Sequence, residues 1–75
     1  MTKQMTKDEF THQNEFWLDV CYAYAIHKTD GGALYLYRVD FEDFEDNCVL
    51  DVEVFRLDGI DWNRFKKHVD LIIEA

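Results

Sequence analysis

From Leu18 to His27 the chain alternates strictly. Leu18, Val20, Tyr22, Tyr24 and Ile26 fall on one side, and Asp19, Cys21, Ala23, Ala25 and His27 on the other. That is the period of a β-strand. A helix over Phe16–Ile26 would be apolar almost all round, broken only by Asp19. A 75-residue domain buries only about 60–65% of the surface its unfolded chain exposes, too little to enclose such a helix. The segment is therefore read as a strand, and it constrains everything around it.

Thr29-Asp30-Gly31-Gly32 follows as a turn, with glycines for the positive φ that a hairpin needs. Ala33–Phe41 resumes the alternation, Tyr35, Tyr37, Val39 and Phe41 against Leu34, Leu36, Arg38 and Asp40. Glu42–Asn47 is too charged to pair densely and reads as a loop or a short helical turn. Cys48–Leu57 gives a third strand, which Asp58-Gly59 closes. Upstream, Thr6 and Glu9 have the spacing of a capping box, so a helix starts there and includes Phe10. Asp61 is a good N-cap for a final helix, Trp62–Glu74, with Trp62, Phe65, Val69 and Ile72 along one stripe.

The expected fold is α+β: a short N-terminal helix, a three-stranded antiparallel meander, and a C-terminal helix packed on one face. The alternative is αββα, with Lys7–His27 as one long helix. Either way residues 1–75 form a single small acidic domain. With 48% hydrophobic and 16% aromatic residues the composition is that of a folding chain, not a disordered one. Neither a basic-then-apolar leader nor an apolar run of about 18 residues is present, so the expected location is the cytoplasm. In that reducing compartment Cys21 and Cys48 stay free thiols. Helices cannot cover both faces of such a sheet, so Tyr22, Tyr24, Tyr35 and Tyr37 would form a partly exposed row suited to a homodimer or another partner.

The charge is local. Asp40–Asp61 holds Asp40, Glu42, Asp43, Glu45, Asp46, Asp51, Glu53, Asp58 and Asp61 against one cation, Arg56, and so accounts for the whole formal charge of −8. The other 53 residues are neutral in sum. On one face of a strand, side chains repeat at roughly 6.6 Å, a spacing commensurate with successive phosphates, which rise about 3.4 Å along the axis of each DNA strand. The nine acids are therefore the expected partner-binding residues, a negative ribbon offered to a basic groove. Gathering them costs a few tenths of a kcal/mol per like-charged neighbour pair, a cost that solubility alone does not require.

Other chemistries find little support. Aligned as a calcium loop from Asp40, the stretch puts Phe44 at position 5 and Glu45 where glycine is needed. His12, His27 and His68 lack a second ligand at zinc spacing. No nucleophile has a base placed beside it, and Gly31-Gly32 opens a strand, not a helix, so it cradles no phosphate. The reading is of a non-enzyme with no catalytic residue, metal or cofactor. With a sequence pI of about 4.6, direct nucleic-acid binding is not expected either.

In size and charge the chain resembles the phage-encoded nucleic-acid mimics: anti-restriction proteins, anti-CRISPR proteins and uracil-DNA-glycosylase inhibitors. The resemblance covers composition and Asp40–Asp61 only. It implies a phage- or mobile-element-encoded stoichiometric inhibitor of a basic nucleic-acid-binding protein, such as a nuclease, CRISPR effector, polymerase or repressor, acting without membrane. One alternative is an immunity protein that neutralises a basic nuclease toxin. Another is a non-catalytic scaffold that dimerises through its tyrosines. A third is a binder of a small signalling molecule in an oligomer interface, with Arg38, Arg56 and Arg64 as its few candidate cations.

Overall fold

The structure is a computed structural model. It describes residues 1–57 together with Gly59, Asp61, Arg64, Lys67 and Val69. The chain runs through β1 (Thr2–Thr6), α1 (Lys7–Thr11), β2 (Glu15–Leu18), β3 (Tyr22–Lys28), β4 (Leu34–Asp40), α2 (Phe41–Asp46) and β5 (Val49–Arg56). The strands form one antiparallel sheet in the order β1-β5-β4-β3-β2.

This corrects the expected three-stranded meander: the sheet has five strands and the described helices are both short. Two strands went unread. β1 lacks a bulky alternating pattern, since only Met5 of its five residues is buried, yet it pairs along β5 with Met5 opposite Leu50. The strand expected over Leu18–His27 covers β3 up to His27 but only Leu18 of β2, which begins at Glu15; the two strands are distinct. They are separated by a turn in which the Asp19 N–H donates to the Tyr22 carbonyl at 2.8 Å and the Asp19 carboxylate accepts from the Val20 N–H at 2.7 Å. The turn contains no glycine, so nothing in its composition announces it. The expected C-terminal helix, Trp62–Glu74, lies outside the described residues.

The αββα alternative fails at the end of α1. Its start is the expected capping box, with the Thr6 hydroxyl accepting from the Glu9 N–H and Glu9 reaching back to the Thr6 N–H. Its end is closed by side chains. His12 Nδ1–H donates to the Asp8 carbonyl at 2.7 Å and Gln13 Nε2 to the Glu9 carbonyl at 2.9 Å, satisfying carbonyls that a continuing helix would have used. After five residues the chain turns into β2.

Both sheet faces carry apolar clusters. On one, Phe10 of α1 and Phe44 of α2 pack with Phe16 over Met5, Ala23, Val39, Leu50 and Val52. Phe10 is fully buried, and a side chain of that size contributes about 1.5–3 kcal/mol by leaving water. On the other face Tyr24, Ile26 and Leu36 pack with Leu57 and Val69, flanked by Trp17 and Phe55. The expected tyrosine row is divided by this arrangement. Tyr22 and Tyr24 lie on the second face and Tyr35 and Tyr37 on the first, because Ala25, not Tyr24, stands opposite Tyr37.

A candidate acidic interface

Five of the predicted partner residues come together at α2. Asp40 stands at its N-cap, and Glu42, Asp43, Glu45 and Asp46 occupy four of its six positions; all five are exposed. The helix is fixed from outside. The Phe41 N–H donates to the Cys21 carbonyl of the β2–β3 turn at 3.0 Å. From α1, Lys7 Nζ donates to the Glu45 carbonyl at 3.2 Å and lies 5.0 Å from the Phe44 ring centroid. The acid-bearing side is thus held over the core by Phe44 and Lys7.

The carboxylates themselves make no hydrogen bond or ion pair among the described residues. Asp40 is placed to cap the helix, yet its side chain makes no capping bond. Glu45 and Asp46 lie in the final turn, where acids oppose the local backbone dipole. Lys7 serves a backbone carbonyl there, not a carboxylate.

Beside the acids runs a shallow groove of about 380 Å³, lined by Val20, Cys21, Asp40, Phe41, Glu42 and Asp43. Val20 is 89% exposed, and Phe41 is half-buried. Apolar Val20 and Phe41 thus line the groove together with the acids Asp40, Glu42 and Asp43. Charge counting had identified the acids but not Val20, Cys21 or Phe41. Their signal was hidden in the unrecognised turn, which moves Val20 off a strand face and out beside α2.

The remaining predicted acids are elsewhere. Asp51 and Glu53 lie on β5 with their side chains on the sheet face opposite Phe44, as the alternation with buried Leu50 and Val52 requires. Asp51 is exposed. Glu53 is half-buried and paired with Arg38, its register partner on β4. Burial by itself would lower the Arg38 pKa, but the Glu53 hydrogen bond and charge outweigh it and leave it raised. Asp61 is exposed, and Asp58 lies outside the described residues. Among the described residues, the acids of α2 form one compact group and Asp51 and Glu53 a separate strand pair on the other sheet face.

Comparison with family models, curated proteins and solved structures finds no match. Among the described residues, no helix is long and apolar enough to cross a membrane.

Proposed function

We propose that this protein is a small non-catalytic inhibitor that binds the basic, nucleic-acid-contacting surface of another protein through the acid-lined groove at α2. Asp40, Glu42 and Asp43 along the groove, with Glu45 and Asp46 further along α2, take the place of phosphates, and Val20 and Phe41 provide the apolar contact beside them. The reading is supported above all by the groove, where exposed Val20 and half-buried Phe41 adjoin carboxylates that are unpaired among the described residues. Protein interfaces likewise combine apolar contacts with polar ones.

The energetics point the same way. Unpaired like charges on a short helix weaken the fold slightly but steer a basic partner and reject acidic ones. Asp51 belongs to the same reading as an outlying contact. Glu53 contributes less, since Arg38 already neutralises it.

Affinity capture from a lysate of the native host tests the proposal. The expected result is a nucleic-acid-binding protein retained at low salt, released as salt is raised, and absent when Glu42, Asp43, Glu45 and Asp46 are all changed to Lys. Retention of the same protein by that variant would refute it.

A further inference from the structure

At the other end of the face covered by α1 and α2, the helices stop short and leave a second concavity of about 370 Å³. Its floor is Tyr37, buried, and half-buried His27 and Tyr35 flank it. The three rings share an orientation: His27 lies within 10° of Tyr37 at 5.9 Å and within 26° of Tyr35 at 6.4 Å. Lys3, exposed on edge strand β1, holds Nζ 5.8 Å from the Tyr37 ring centroid. None of the lining side chains is acidic, although the chain carries a formal charge of −8.

The imidazole is set by its neighbours. Gln13 donates its amide N–H to the Glu9 carbonyl at 2.9 Å, which leaves Gln13 Oε1 as the acceptor facing His27 Nδ1 at 3.0 Å. His27 therefore carries its proton on Nδ1 when neutral, and Nε2 is its remaining polar atom. Aligned rings, a cation and orientable polar atoms converge on one concavity whose volume is in the range of small-molecule sites.

We propose that this concavity binds a small planar anion of the nucleoside monophosphate class, its flat ring against the His27–Tyr35 rings and its phosphate at Lys3. Ring faces attract a flat base whatever its identity, and an ammonium attracts the phosphate. A single phosphate confines its charge to the cationic end. A polynucleotide would extend over a surface that is acidic overall and be repelled. The assignment rests on Lys3, His27 and Tyr35, and it is independent of the α2 groove.

An amide NMR titration of the full chain with AMP tests this, with adenosine and a short single-stranded oligonucleotide as comparison probes. Expected are saturable shifts centred on Lys3, His27 and Tyr35, with adenosine about tenfold weaker for want of the charged contact. Lys3→Glu and the milder Lys3→Gln should weaken AMP by about tenfold or more while keeping the native spectrum. The Lys variant of α2 should leave AMP affinity unchanged. The proposal fails if AMP gives no saturable shifts, or if it binds wild type and both Lys3 variants alike. It also fails if only the oligonucleotide binds, or if the shifts follow protein concentration, which would assign the concavity to a second copy of the chain.

Discussion

Arg38 grips Glu53 with two parallel bonds across the β4–β5 ladder, Nε to Oε1 at 3.2 Å and Nη2 to Oε2 at 3.1 Å. Its guanidinium also lies 4.3 Å from the Tyr22 ring centroid and 5.3 Å from that of Phe55. The pair is direct in register, so it ties the central strand β4 to its neighbour β5. Glu53→Gln should cost about 1 kcal/mol in chemical denaturation. A double-mutant cycle with Arg38→Met should return a coupling of similar size. Because the pairing leaves the Arg38 pKa raised, the guanidinium's contribution is complete at and below neutrality. It is lost only as pH rises past that raised value, so denaturation midpoints should show no loss through Arg38 on the mildly alkaline side.

Phe10 is the residue that holds both helices to the sheet, touching Phe16 at 5.9 Å and Phe44 at 5.8 Å between centroids. Phe10→Ala should destabilise by about 3–5 kcal/mol, a large share of what a domain of this size possesses. Urea denaturation followed by far-ultraviolet circular dichroism would show it. The α2 groove should be lost along with the fold.

Glu45→Gln with Asp46→Asn should act in the opposite direction on stability. Neutralising these acids in the last turn of α2, where they oppose the backbone dipole, should raise the denaturation midpoint slightly, by a few tenths of a kcal/mol per residue. The same change should weaken partner capture. A gain in stability together with a loss of binding would separate a functional role for these acids from a structural one.

Cys21 and Cys48 are both free and exposed, and only Cys21 lines the acidic groove. Both should react with a thiol reagent in the native protein. In a Cys48→Ser background, a bulky maleimide on Cys21 should block capture of the partner, whereas labelling Cys48 in a Cys21→Ser background should leave capture intact. Capture assays on the labelled proteins, with mass spectrometry to confirm labelling, read this out.

How much of this was visible in the residues depended on local signals. The Thr6–Glu9 capping box, the glycine turn after Thr29 and the strands read over Ala33–Phe41 and Cys48–Leu57 were legible, because each carries its own chemistry in a few neighbouring residues; the structure trims those strands to Leu34–Asp40 and Val49–Arg56 and gives Phe41 to α2. β1 was not legible, since its pairing with β5 joins residues about 50 apart and only Met5 is buried. Nor was the division of Leu18–His27, where Asp19 makes a turn from its own carboxylate without help from glycine. That turn is what places Val20 beside α2, whereas the division of the four tyrosines follows from the β3–β4 register, which sets Ala25 opposite Tyr37. The acid cluster was legible as charge, but the placement of Val20 beside it depended on the turn. Segregation of Glu53 from the α2 acids depended on a register that pairs it with Arg38.

On the proposed reading, the α2 carboxylates occupy a nucleic-acid-binding surface on a partner. Competition between this protein and duplex DNA for the captured partner, followed by fluorescence anisotropy of labelled DNA, tests it most directly. Wild-type protein should displace the DNA stoichiometrically, less well as salt rises, and the variant with Glu42, Asp43, Glu45 and Asp46 changed to Lys should displace none. A partner that binds this protein and DNA together, with neither weakening the other, would contradict it.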